Sequence, residues 1–191
     1  MRKNAMIVAV AALLVAGVYG PARAERLLTD EKAVSQMLAG AESVEKVARP
    51  VTAAELAAIK TALGGFLNAD SKPAADPKEF EFHFGLKGGK RVSVAMLDTQ
   101  PGKWGVVGFA VGLDAVTGKV TGMAVTTLSE KRGRPVALKS FLRQFAGKGK
   151  EDKFQTGKDV NAIAGATVST KAAAFAARKA VLVYDALFLK K

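Results

Sequence analysis

At Phe80 the spacing of apolar residues along this chain changes. Phe80, Phe82 and Phe84 alternate with Glu81 and His83, a period of two that a strand with one buried face produces. Lys87-Gly88-Gly89-Lys90 then turns the chain into a second alternating run, Val92, Val94 and Met96. A second pair follows, with Trp104 to Leu113, a turn through Asp114 to Gly118, and Val120 to Leu128. Neither pair has room for a helical crossover, so the pattern predicts antiparallel hairpins rather than strand–helix–strand units. His83 falls on the polar side of its strand, where a solvent-facing histidine is expected.

On both sides of this block the period is helical. Thr29 or Asp30 can cap a helix whose apolar face is Ala33, Val34, Met37 and Leu38, and Gly40 ends it. Thr52 and Glu55 stand at capping-box spacing before Leu56, Ile59, Ala62 and Leu63, and Gly64-Gly65 stops that helix. The stretch from Asn68 to Pro77 reads as a linker. Leu138, Phe141, Leu142 and Phe145 predict an amphipathic helix over 136–146, ended by Gly147. Ser169 to Leu189 predicts the longest helix, with Lys171, Arg178 and Asp185 as a polar stripe and Phe175, Val183 and Leu187 facing the core. The expected fold is α+β, a twisted antiparallel sheet packed with helices. The expected organisation is a signal peptide at 1–24, an N-terminal helical segment and linker at 25–78, and one domain at 79–191.

The residue inventory excludes several chemistries. Without cysteine there is no thiolate metal site, iron–sulfur cluster or cysteine nucleophile, and with one histidine there is no His-rich zinc site. No metal site is therefore expected. No GxGxxG follows a strand and opens a helix, so an independent dehydrogenase activity is not expected either. Redox or group-transfer chemistry in such a chain needs an organic cofactor.

The first residues read as a targeting segment. Arg2 and Lys3 precede an apolar run from Ala5 to Gly20, and Pro21-Ala22-Arg23-Ala24 has small residues at the positions a signal peptidase reads. The expectation is a cleaved leader and an exported, periplasmic protein; the alternative is a retained anchor that leaves the domain facing the periplasm. Removing Arg2, Lys3 and Arg23 lowers the net charge from +12 to +9. In an exported protein this charge argues for anionic cofactors, acidic redox partners or peripheral membrane contact, and not for nucleic acid. A generally basic soluble surface is the plainer reading.

Residues 161–170, Asn-Ala-Ile-Ala-Gly-Ala-Thr-Val-Ser-Thr, carry the chemistry. Gly165 and Ala166 are small enough for close backbone approach, and Thr167, Ser169 and Thr170 place three hydroxyls just before the long helix. A helix start offers unpaired N–H groups and partial positive charge, and Lys171 adds a full charge, so the segment suits a phosphate. An ordinary N-cap, worth about 1 kcal/mol, explains the same hydroxyls.

The segment Asn161-Ala-Ile-Ala-Gly-Ala-Thr167 resembles the flavinylation motif Asp-x-x-(Ser/Thr)-Gly-Ala-(Thr/Ser) of the FMN-binding domain family. That family includes the subunits that carry covalent FMN in the Na⁺-translocating NADH:quinone reductase and in the Rnf complex, and small exported FMN-binding proteins. Lys103 to Asp114 with Gly118 to Met123 resembles the family's glycine-bearing strand and hairpin, and Arg132 to Val136 with Ser140 to Phe145 its connecting segment; together these cover roughly residues 79–189. The resemblance implies FMN joined through its phosphate to Thr167 by a flavin transferase that takes FMN from FAD. It also implies a cofactor site around Ala164, Gly165, Ala166, Ser169, Thr170 and Lys171. The implied role is an electron carrier rather than an enzyme, exchanging electrons with membrane quinone-linked or haem proteins. Two positions depart from the motif: Asn161 replaces its acid and Ala164 its hydroxyl residue. Two alternatives stand beside this reading: the same domain holding FMN reversibly, or a cofactor-free basic module docking on an acidic partner or membrane surface.

Arg132 and Arg134 are candidates for contact with the flavin ring or its phosphate, or else part of a solvated basic loop. Trp104 is expected in the core, with stacking on a flavin as the alternative. Gly105, Gly108 and Gly112 either admit a flat ring or serve tight packing. Lys148, Lys150, Lys153 and Lys158 either steer an acidic partner or form an ordinary charged surface.

Overall fold

The computed structural model describes residues 24–130 and 133–190. The leader read at the N-terminus and the candidate Arg132 lie outside the described residues. The elements in chain order are β1 (Glu25–Arg26), α1 (Asp30–Met37), β2 (Ser43–Pro50), α2 (Ala53–Leu63), β3 (Glu79–Lys87), β4 (Lys90–Pro101), β5 (Val106–Asp114) and β6 (Val120–Leu128). A 3₁₀ turn (Arg134–Ala137), the short helix α3 (Lys139–Leu142) and a second 3₁₀ turn (Arg143–Phe145) follow, then α4 (Thr167–Tyr184) and a π turn (Asp185–Leu189). One six-stranded sheet in the order β1-β6-β5-β4-β3-β2, antiparallel throughout, organises all of it. The class is α+β.

The alternation read from β3 sorts the two faces of the sheet. Phe80, Phe82 and Phe84, with Val94, Met96, Val107, Phe109, Val111, Leu113 and Val125 from the neighbouring strands, turn toward α2 and α4 and form the main core. At its far end Phe188 meets Phe82 and Phe84 edge-on at 4.9 and 5.2 Å, while Tyr184 stacks on Phe188. A smaller cluster on the opposite face joins Val34 and Leu38 of α1 to Ala95, with Met37, Ala41 and Leu97 beside it. Gly112 and Gly122 pair across β5 and β6 and leave room for Met37; a methyl group on Gly112 would lie 3.2 Å from Met37 Cβ. Gly105 lies against Ser129 and Gly108 against Thr126 and Thr127, so packing accounts for all three candidate ring-admitting glycines.

Both N-terminal helices form where their caps put them. The Thr29 hydroxyl accepts the Lys32 N–H at 3.3 Å, and Thr52 with Glu55 makes the reciprocal capping box of the helix that ends at left-handed Gly64. Between them the structure adds β2, which the sequence pattern does not predict; it pairs with β3 along its whole length as an edge strand. Its exposed side chains include charged groups, and Lys46 reaches Glu81 at 2.8 Å, so no apolar alternation of the usual kind marks it.

The helix expected over 136–146 is broken. Leu138 adopts extended geometry (ψ 135°) and is exposed, which splits the segment into two 3₁₀ turns and α3. Phe141, Leu142 and Phe145 still reach the core, so the apolar periodicity identifies the buried residues but not their backbone. Within the expected polar stripe of the last helix, Lys171 is exposed, Arg178 donates to the Ala62 carbonyl at 2.6 Å, and Asp185 is buried and paired with Lys150 at 3.2 Å. His83 does not face open solvent. It is half-buried in a groove of about 550 Å³ beside α1, with Glu81 at 3.1 Å. Among the described residues no helix is long and apolar enough to cross a membrane, and no group of three or more His, Cys, Asp or Glu converges as for a metal.

Candidate functional site

The start of α4 is built by a short turn that the chain folds beneath itself. Gly165 has φ +73°, a left-handed conformation that glycine adopts without a Cβ penalty. The Ala166 N–H donates to the Ile163 carbonyl at 3.0 Å, closing the turn. Thr170 then fastens it: its Oγ1 accepts the Ile163 N–H at 3.2 Å and donates to the Ala166 carbonyl at 3.0 Å. Thr170 is fully buried and its hydroxyl proton is used within the turn, so it holds the turn and has no donor left for a phosphate.

Thr167 stands on the crest of this turn, exposed, as the first residue of the helix. Its predecessor Ala166 provides no side-chain cap, so the first N–H groups of an 18-residue helix are left to another acceptor. Lys171 is exposed one turn further on. Uncapped amides, a helix-start dipole and a lysine one turn on are groups that suit a phosphate, and Thr167 is the first residue of that helix.

Ser169 differs from both threonines. It is 1 % exposed and its Oγ has no hydrogen-bond partner, an uncommon condition for a buried hydroxyl. It faces Gly133, whose missing side chain is what allows the loop after β6 to lie on the helix; a Cβ there would collide with Ser169 Oγ. Ala164 and Gly165 are exposed and Ala166 is buried beneath Thr167.

The approach to the turn is held from outside. Asp159 accepts the N–H groups of Phe154 and Gln155 at 2.9 and 2.6 Å and the Lys148 ammonium at 3.2 Å. Burial acts to raise its pKa, but these donors outweigh it and hold the carboxyl below the ordinary carboxylate range. Asp159 is thus spent on its own loop and does not replace the acid missing at 161. Asn161 is exposed and its backbone N–H donates to Gln144 Oε1 at 2.7 Å. Lys148 and Lys150 are ion-paired, whereas Lys153 and Lys158 are exposed.

Two further candidates land differently from expectation. Arg134 pairs with Glu25 of β1 at 2.7 Å, and the guanidinium holds that carboxyl below its ordinary range by hydrogen bond and charge. Trp104 is not in the core: it lies in the turn between β4 and β5, 55 % exposed, with the Lys103 ammonium 5.4 Å from its ring.

Residues 102–182 match the model of the FMN-binding domain family, a span that opens at the Trp104 turn and ends in the last turn of α4. This segment is an FMN-binding domain. Its cofactor is FMN, whose phosphate suits the helix start at Thr167. Among solved structures the chain is similar to the crystal structure of NqrC from Shewanella oneidensis, at 17 % identity and a TM-score of 0.50, covering 78 % of this chain and 86 % of that one. At that identity the likeness is one of fold, and it carries the antiparallel sheet and the long C-terminal helix. No curated protein matches the sequence.

Within the FMN-binding domain, sequence reasoning missed three residues that shape the site. Gln144 anchors Asn161, Gly133 admits the loop onto Ser169, and Glu130 lies buried beneath the Trp104 turn. Glu130 stands two residues before Arg132 in a charged stretch, and nothing in its local pattern marks it as buried.

Proposed function

We propose that this chain is an exported electron-transfer flavoprotein whose FMN is attached through its phosphate to Thr167. One observation carries the reading: inside a segment of the FMN-binding family, an exposed threonine hydroxyl crowns the uncapped start of the longest helix. A hydroxyl so placed is open to a modifying enzyme, and the phosphate it would acquire falls where backbone amides and Lys171 favour negative charge.

In the attachment step a flavin transferase forms a phosphoester bond between Thr167 Oγ1 and the phosphorus of FMN. The bond to the departing AMP half of FAD breaks, and the hydroxyl proton passes to a base. Asn161 and Ala164, on the exposed approach, are the surface such an enzyme meets in place of the usual acid and hydroxyl. When bound, FMN supplies one- and two-electron redox chemistry. The chain's own residues orient it: Thr167 tethers, the helix amides and Lys171 hold the phosphate, and Thr170 keeps the turn shut. We read the protein as a carrier that passes electrons to and from membrane quinone-linked or haem proteins. The leader-like first residues and the basic surface favour a periplasmic setting close to the membrane.

The test is co-expression with a flavin transferase in an exporting host. Flavin fluorescence that survives denaturing electrophoresis and disappears in Thr167→Ala is expected, together with an intact mass raised by one FMN. Yellow colour lost on denaturation makes the binding reversible; a colourless protein with unchanged mass refutes the flavoprotein reading.

A further inference from the structure

We propose that Glu130 is a positioning residue that holds the Lys103–Trp104 turn in register with the start of α4, so that the Trp104 indole and the Thr167 hydroxyl belong to one site. The ligand of that site rests on the flavin reading above; the coupling of the loops stands on the contacts of Glu130 alone.

Glu130 follows β6 and is 6 % exposed, a costly place for a carboxyl group unless the group is used. Its Oε1 accepts the backbone N–H of Trp104 at 3.1 Å. The same oxygen fills the space beside Gly102, where any Cβ would collide with it. Gly102 in turn donates its N–H to the Gly105 carbonyl at 2.6 Å, which closes the turn that presents Lys103 and Trp104. Gly105 is packed directly on Ser129, the residue before Glu130. On its other side Glu130 is covered by Gly133, where an added methyl carbon would come within 2.7 Å of Glu130 Cβ and collide with Ser169 Oγ.

The chain of contact therefore runs from the β4–β5 turn, through the Glu130 carboxyl and then its Cβ and Cγ, to the Gly133 backbone and the first turn of α4. A large exposed indole has little packing to fix it, so a hydrogen bond to its backbone is what sets its place. A planar ring tethered at Thr167 would find one aromatic face held at a constant distance from its anchor, which lowers the ordering cost of binding.

Trp104 is the only tryptophan in the chain, so its emission reports this turn alone. The experiment measures Trp104 fluorescence anisotropy in the flavin-free protein and FMN affinity by titration, in wild type, Glu130→Ala, Glu130→Gln and Glu130→Met. Glu130→Ala is expected to lower the anisotropy and weaken FMN binding about tenfold, or about 1.4 kcal/mol. Glu130→Gln keeps both the volume and an oxygen acceptor and is expected to restore both readings, whereas Glu130→Met keeps the volume without the acceptor and is expected to match the alanine variant; a Glu130→Met protein with wild-type readings would make volume the cause and overturn the proposal. Wild-type anisotropy and affinity in Glu130→Ala overturn the proposal, as does a Glu130→Gln protein no better than the alanine variant. Should Glu130→Ala fail to fold, Gly102→Ala, which drives a methyl group against Oε1, carries the same test with the same two readings. If wild type takes up no free FMN, reversible binding fails while attachment by the transferase is still decided by the intact mass, and the anisotropy contrast still decides the role of Glu130.

Discussion

Replacing Thr170 by valine tests whether this residue shapes the site rather than binding the ligand. Valine matches threonine in volume and branching, so the fully buried space stays filled and the change is confined to one hydroxyl. Two hydrogen bonds go with it. The Ala166 carbonyl keeps its helical bond from the Thr170 N–H at 2.9 Å, so its loss is minor. The Ile163 N–H loses its acceptor, but Ile163 is only half-buried and water can reach it, which puts the cost near the lower end for an orphaned donor. The sum is about 1–2 kcal/mol, a fall in Tm of roughly 2–8 °C for a chain of this size. The loss should be concentrated in the turn, because the core residues on the inner face of α4 are untouched. Hydrogen exchange resolved by residue is the assay: the Ile163 and Ala166 amides should exchange faster while those of β4 and β5 change only with global stability. Thr170→Ser retains the hydroxyl and should keep the turn protected despite its lost methyl group. A valine variant with wild-type Tm and unchanged exchange at Ile163 and Ala166 would refute the reasoning.

Two more outcomes follow from the contacts described. The Asp159 carboxyl is held below its ordinary range in the folded chain, so its contribution is complete above the unfolded value of about 3.9 and is lost as pH falls through the folded one. The Phe154 and Gln155 amide resonances should therefore shift together below about pH 4, and Asp159→Asn should abolish that shared titration. Gly112→Val drives two methyl groups toward Met37 and should cost about 1–3 kcal/mol by overpacking, read as a lower midpoint in urea. FMN affinity should stay at the wild-type value in that variant, and a selective loss of flavin binding would show that Gly112 serves the ligand instead.

What could be read from the sequence divides along a physical line. Local signals were legible: the Thr52–Glu55 box, the glycine at the end of α2, and the phenylalanine alternation of β3 depend on residues a few positions apart. The strand β2 was not, because an edge strand need not bury a regular apolar stripe, and its pairing with β3 is made across the α2 and linker segments. Leu138 kept the periodicity of a helix while the backbone turned outward there. Near the motif, the sequence pattern started the long helix at Ser169, and the structure starts it two residues earlier, at Thr167. The pattern could not separate the three hydroxyls, since which of them faces outward depends on the phase of α4 and on Gly133, 36 positions before Ser169. The same holds for Trp104, whose exposure is set by where β5 begins, and for Glu130, whose partner lies 26 positions upstream.

The turn under Thr167 has one more consequence. Every hydrogen bond that shapes it, from Thr170, Ile163, Ala166 and the Gln144 anchor of Asn161, comes from the polypeptide itself. Because the Gln144 side-chain carbonyl oxygen holds the Asn161 N–H, the loop ahead of the helix is tied to the segment after β6, and a change at position 144 reaches the turn from 17 positions upstream.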